Sequence, residues 1–221
     1  MRPGQFVRCA ATCGIVLLAC SSGVRAQTPS AEPRQASPRG NAAKLPAIEP
    51  STDQQKQALG TFANGAQTLN AFKVCLNNPD LCRAWTPFTS AVGRTLPLRD
   101  RELLILRTAW LCGNDYTWAI HSQAARRGGF SDEEIRRITE GPRASQWSAD
   151  DRLLLEVADA LYTDRMIPDA SWSALAKRYN SAQMMDAIFT VGQYSMISML
   201  VRSGGVQQES GKSGFAVPGG K

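Results

Sequence analysis

Histidine is almost missing from this chain: among 221 residues there is one, His121. Six cysteines are present, but none are arranged as Cys-x-x-Cys, so with a single imidazole the usual zinc ligand sets are absent and no metal is expected. No glycine-rich loop of the kind that cradles a phosphate appears, which leaves no signal for a nucleotide or other cofactor. Sustained alternation of apolar and polar residues, the period of a half-buried strand, is lacking between residues 52 and 204, whereas apolar spacings of three and four recur. Long hydrophobic runs are lacking as well. The run over residues 9–19 falls short of the roughly 20 apolar residues that span a bilayer.

That run suits an export signal instead. Arg2 and Arg8 precede it, and Val24-Arg25-Ala26 resembles a small-residue cleavage site, which makes residues 1–26 a signal peptide and the protein periplasmic. Leu17-Leu18-Ala19-Cys20 resembles a lipobox, by which only residues 1–19 would be removed and a lipid on Cys20 would supply the sole membrane contact. The formal charge is +6 from 25 Lys+Arg against 19 Asp+Glu. Half of that excess is Arg2, Arg8 and Arg25 in the leader, and the remainder is dispersed, so no nucleic-acid footprint is expected. Residues 27–50, rich in Pro, Ala, Ser and charge, read as a disordered linker. Residues 51–206 form one domain, and 207–221 a flexible tail.

Within the domain the pattern is all helical. One broad apolar stripe covers 53–76, ended by Asn77-Asn78-Pro79-Asp80 with Pro79 placed to open the next helix. A short helix over 81–92 follows, then one from Leu98 or Arg99 to Cys112 that is apolar nearly all round and so buried and central. Asn114 or Asp115 caps the following helix, which stops at Gly128-Gly129. Ser131-Asp-Glu-Glu134 is a capping box, and further helices cover 148–164, 168–180 and 181–202.

His121 lies in the second arm of the hairpin that turns at Gly113. Thr117 and Asn114, four and seven residues before it, share its face. Glu102 lies eleven residues before Gly113 and His121 eight after it, so the two stand at heights differing by about 4–5 Å in an antiparallel hairpin. A glutamate spans that gap. The pair is therefore expected within hydrogen-bond reach and facing a cavity, as a proton-transfer couple. From spacing alone, a satisfied core histidine explains His121 equally. Cys75 and Cys82 flank the 77–80 turn, where an oxidising compartment would preserve a disulfide if their geometry allows one.

The run Leu96-Pro97-Leu98-Arg99-Asp100-Arg101-Glu102-Leu103, then Tyr116-Thr117-Trp118-Ala119-Ile120-His121, then Ala125 to Ile135, resembles the carboxymuconolactone decarboxylase family, which includes alkylhydroperoxidase D. Trp147 to Leu154, Ile167-Pro168-Asp169-Ala170-Ser171-Trp172 and Val191-Gly192-Gln193-Tyr194 continue the likeness downstream. It implies a single helical-bundle domain with a central antiparallel hairpin, assembled as a homotrimer or hexamer. Peroxidase members carry a Cys-x-x-Cys-x-x-x-His motif with a glutamate nineteen residues before the histidine. Glu102 and His121 match it, but the cysteine positions hold Asn114 and Thr117, neither of which forms a thiolate or a disulfide.

Acid–base chemistry is what survives. The expected activity is that of a cofactor-free lyase or isomerase acting on a small carboxylated or carbonyl substrate, with His121, Glu102 and Tyr116 catalytic and Asn114, Thr117, Gln193 and Tyr194 binding the substrate. The alternatives are an alkylhydroperoxidase-like antioxidant, which the missing cysteines oppose, and a non-enzymatic envelope protein that keeps the fold. Cys112 is two residues out of phase with Asn114 and reads as small core filler.

Overall fold

The computed structural model describes residues 42–212 together with 214 and 215. The leader and the lipobox cysteine lie outside the described residues, as does most of the 27–50 segment. The described part contains nine α-helices and no strand: α1 Asp53–Leu59, α2 Asn70–Cys75, α3 Pro79–Ala91, α4 Leu98–Leu111, α5 Asp115–Arg127, α6 Asp132–Ile138, α7 Ala149–Thr163, α8 Asp169–Leu175 and α9 Ser181–Gly204. This is the all-helical fold that the residue spacing implies, arranged as the bundle with a central hairpin that the family resemblance implies.

Local chemistry starts most of these helices. Thr52, Ser131 and Asn180 close reciprocal capping boxes with Gln55, Glu134 and Gln183. Asn78, Asn114 and Ser148 each accept a backbone N–H from the first turn of α3, α5 and α7. Each cap satisfies donors that a helix start leaves without partners.

The first helix differs from expectation. The 53–76 stripe is not one helix but α1, two 3₁₀ turns at Gly60–Phe62 and Gly65–Gln67, and then α2. Gly60 and Gly65 adopt φ of 55° and 52°, which no α-helix accommodates. The apolar residues nonetheless reach one core, in which Leu59, Phe72, Leu76 and Cys82 pack beneath Phe62 and Trp85. Cys75 and Cys82 come together there with their thiols in hydrogen-bond contact and unbridged. The helix expected over 168–180 is likewise shorter, since turns follow Leu175 and Asn180 serves as the cap of α9.

α4 is the axis of the bundle. Leu103, Leu104, Ile105, Leu106 and Ala109 are all buried, and α5, α7 and α9 pack around them. Because α4 is covered on every side, its polar residues need internal partners. Asp100 accepts from Arg178 at 2.7 Å and from the Tyr179 hydroxyl at 2.5 Å. Arg107 donates to both carboxylate oxygens of Asp159, at 2.6 and 3.0 Å, and to the Ile138 carbonyl at 2.8 Å.

The ends of the domain are fastened rather than loose. In the segment assigned to the linker, Lys44 and Leu45 donate their amides to the Gly204 carbonyl at 2.9 and 3.0 Å. In the segment assigned to the flexible tail, Glu209 hydrogen-bonds the Asn70 amide at 2.6 Å, and Phe215 packs against Trp110 and Trp118 with ring centroids 5.0 and 5.2 Å apart. Composition does not register such anchors, because one carboxylate or one aromatic ring suffices to dock a polar segment.

Candidate active site

The hairpin of α4 and α5 brings Glu102 and His121 together. Glu102 Oε2 lies 2.8 Å from His121 Nδ1. The carboxylate is 1 % exposed, while the imidazole keeps 19 % of its side-chain surface open. Such deep burial requires that a carboxylate have all its oxygens engaged. Arg101 provides for this, donating Nε and Nη2 to Glu102 Oε1 at 3.3 and 3.2 Å.

Arg101 was not legible as a site residue, because neighbours on a helix do not face one another. Its side chain reaches back by lying across Gly93, where a Cβ would stand 2.8 Å from Arg101 Cδ. Gly93, at φ 76°, supplies both the turn before α4 and the clearance for that arginine.

From α9, Tyr194 closes the group. Its ring meets the His121 ring edge-on, with centroids 4.9 Å apart and planes at 86°. Burial pushes the Tyr194 phenol up from its ordinary pKa, and the negative charge of Glu102 adds to this, partly offset by Arg101. Tyr194 therefore stays a hydrogen-bond donor across neutral pH. Among the described residues, neither the Tyr194 hydroxyl nor His121 Nε2 has a hydrogen-bond partner.

The other expected site residues go elsewhere. Tyr116 is not brought to the pair: its hydroxyl donates to Glu209 at 2.6 Å and accepts the Ala71 amide at 3.0 Å. Five residues before His121 on one helix means about 140° around the axis, so the two cannot share a face. Asn114 and Thr117 do share that face but are consumed by structure. Asn114 Oδ1 caps α5 by accepting the Thr117 amide at 3.0 Å, and its Nδ2 donates to the Thr117 hydroxyl at 2.7 Å and to Ser198 at 2.9 Å. Gln193 donates to Thr89 at 2.8 Å, and its buried Oε1 has no partner among the described residues. Adjacent residues of α9 point about 100° apart, so Tyr194 and Gln193 cannot both face the pair.

The expected cavity is also displaced. A groove of about 830 Å³ is lined by Cys112, Ser195, Ser198, Met199 and Arg202 among others, but not by Glu102 or His121. Of the pair, only the imidazole is open to solvent, over 19 % of its side-chain surface. Cys112 is thus half-buried at the groove rather than wholly core filler. Burial pushes its thiol up, against smaller opposing effects of Ser198, Ser195, Arg202 and Arg165, so little thiolate is present at neutral pH.

With this geometry in hand, residues 79–159 match the model of the carboxymuconolactone decarboxylase family. Over that stretch the chain resembles that family. No curated protein sequence matches it, but three solved structures share the fold. An uncharacterized peroxidase-related protein from Silicibacter sp. superposes with a TM-score of 0.64 at 16 % identity, covering 82 % of this chain and 96 % of that one. The debrominase Bmp8 in complex with 2,3,4-tribromopyrrole gives 0.59 at 15 % identity, over 76 % of this chain and 94 % of that one. A putative antioxidant defence protein AhpD from Agrobacterium tumefaciens gives 0.56 at 17 % identity, over 61 % of this chain and 94 % of that one. Identities this low establish a common fold and nothing finer.

Inside this fold, Tyr116 acts as a clamp for the 207–212 segment. Tyr116→Phe is expected to cost about 1–3 kcal/mol of stability, because Glu209 and the Ala71 amide lose a buried partner. Catalytic parameters should stay unchanged. Thermal melting beside turnover checks this, and lost turnover at unchanged stability would return Tyr116 to the catalytic group.

Proposed function

We propose that the chain is a cofactor-free lyase or isomerase in which His121, held by Glu102, moves a proton on a small carboxylated or carbonyl substrate. The observation that carries this reading is the division of labour at the imidazole. Nδ1 is fixed on a buried carboxylate, while neither Nε2 nor the Tyr194 hydroxyl has a hydrogen-bond partner among the described residues, and the imidazole keeps 19 % of its side-chain surface open. A merely structural histidine would be expected to spend both nitrogens.

In a decarboxylation the bond between the α-carbon and the carboxylate breaks, CO2 leaves, and the electron pair passes to the neighbouring carbonyl oxygen as an enolate. Tyr194 donates to that oxygen as its charge develops. A proton on His121 Nε2 then goes to carbon, and water restores it. Glu102 accepts Nδ1–H throughout, which fixes ring orientation and tautomer and offsets the charge of the imidazolium. Arg101 keeps the second oxygen of Glu102 occupied. Isomerisation would use the same two groups, with Nε2 taking a proton from one carbon and returning it to another. Acid–base assistance of this kind contributes about 10²–10⁴-fold.

The test is release of CO2 from a panel of carboxylated lactones and β-keto acids. Saturable turnover that requires His121 supports the reading, and no turnover across the panel counts against it. On the leader read in residues 1–26, the proposed setting is the periplasm.

Dithiol peroxide reduction is not expected. Asn114 and Thr117 stand where that chemistry needs cysteines, and the thiol of Cys112 is held protonated. Peroxide consumption with a dithiol reductant should not exceed the enzyme-free rate. Robust turnover that disappears in Cys112→Ser would contradict this and make Cys112 a peroxidatic thiol.

A further inference from the structure

The described residues hold three thiols, and two of them share one place in the fold. Cys75 ends α2 and Cys82 lies near the start of α3, with residues 76–81 as the whole of the connection. One residue, Asn78, fixes both backbones. It donates its amide to the Cys75 carbonyl at 3.0 Å, and its own carbonyl accepts the Cys82 amide at 2.9 Å. Pro79 at the first position of α3, and the Asn78 side chain accepting the Leu81 amide, keep the turn from opening. Both side chains then enter the core of Leu59, Phe72 and Leu76, where the thiols meet.

Their exposures differ. Cys82 is wholly buried, whereas Cys75 is half-buried at the margin of that core. A molecule arriving from solvent therefore meets the sulfur of Cys75 and not that of Cys82. One buried cysteine reads as small apolar filler. Two thiols held in contact across a turn, one open to solvent and one behind it, are arranged for exchange chemistry.

We propose that Cys75 and Cys82 form a reversible dithiol site that exchanges with small disulfides of the glutathione class, Cys75 attacking and Cys82 resolving. The Cys75 thiolate attacks one sulfur of the incoming disulfide, which forms a mixed disulfide and releases one small thiolate. That thiolate takes the proton of Cys82. The Cys82 thiolate then attacks the Cys75 sulfur, closing the internal bond and expelling the second small thiolate. Two protein thiols are oxidised, and one small disulfide is reduced to two thiols. Contact with Cys75 suits Cys82 to the second step, since the hydrogen bond from Cys75 lowers its pKa against the opposing effect of burial. The ring so closed runs from residue 75 to 82 and locks α2 onto α3. Neither Glu102 nor His121 takes part, so this activity and the proton transfer stand or fall separately.

Lys73 and Arg83 bracket both cysteines, so trypsin releases them together on the peptide 74–83. The full chain is equilibrated with mixtures of reduced and oxidised glutathione, trapped with N-ethylmaleimide and digested. As the mixture turns oxidising, this peptide should pass from two maleimide adducts to none, at a mass two hydrogens below the reduced form. The folded protein should close the bond at a glutathione ratio at least about tenfold more reducing than the chain in urea, because the fold, beyond sequence proximity, holds the sulfurs together. Cys82→Ser should leave glutathione on Cys75, whereas Cys75→Ser should leave Cys82 unmodified. A wild-type peptide that keeps both maleimides at the most oxidising ratio, or that halts at one stable glutathione adduct, overturns the proposal. So does closure at the same ratio in folded and unfolded chains, or a glutathione adduct on Cys82 in folded Cys75→Ser.

Discussion

Replacing His121 by glutamine is expected to lower turnover by about 10²–10⁴-fold, the range of a lost general acid or base. Stability should change by no more than about 1 kcal/mol, the net worth of one hydrogen bond. Glutamine can still donate to Glu102, so the buried carboxylate keeps a partner; what disappears is the nitrogen that carries a proton to the substrate. Glu102→Gln should fall in the same direction by a smaller factor, because Nε2 remains while its orientation and charge compensation are lost. Both effects belong in kcat more than in KM, since the contact strengthens as charge develops. Parallel kinetics and thermal melting decide the matter. A His121→Gln protein that unfolds, or that turns over at the wild-type rate, would make the histidine structural.

The largest expected effect on stability lies elsewhere. Arg107→Ala should cost about 3 kcal/mol, the lower end for removing one partner of a buried ion pair. The guanidinium is 8 % exposed and bridges α4 to α7 through Asp159 and to the end of α6 through the Ile138 carbonyl. Its loss strands a carboxylate and a carbonyl at once. Asp159, 29 % exposed, recovers some water, which keeps the figure at the lower end. Chemical denaturation would measure it directly. A change below about 1 kcal/mol, the ordinary value for a surface pair, would show that the bridge is solvated in solution.

The sequence and the fold agree where a rule acts locally. The capping box at Ser131 and the unbroken apolar circumference of α4 state their own geometry. Glu102 and His121 were readable because distance from the Gly113 turn converts directly into height along an antiparallel hairpin. Angle is where reading fails. Tyr116 lies near His121 in sequence and 140° away in space, and Gln193 and Tyr194 are neighbours that diverge by 100°. The breaks at Gly60 and Gly65 were hidden because the flanking apolar residues still converge on one core. Arg101 could be assigned only once the path of its side chain over Gly93 was seen. Glu209 and Phe215 dock a polar segment through single contacts that no periodicity records. Asn114 and Thr117 show a further limit, since their positions coincide with a reactive motif while their side chains serve a helix cap.

Solvent-derived hydrogen at carbon reports the central claim most directly, that the Glu102–His121 pair delivers a proton without help from a thiol. A substrate found by CO2 release would be turned over in D2O and its product examined by NMR. Wild type and Cys112→Ser should both place one deuterium on the carbon that lost CO2, faster than the enzyme-free background, and His121→Gln should not. Deuterium incorporation that survives His121→Gln, or that vanishes in Cys112→Ser, would contradict the account.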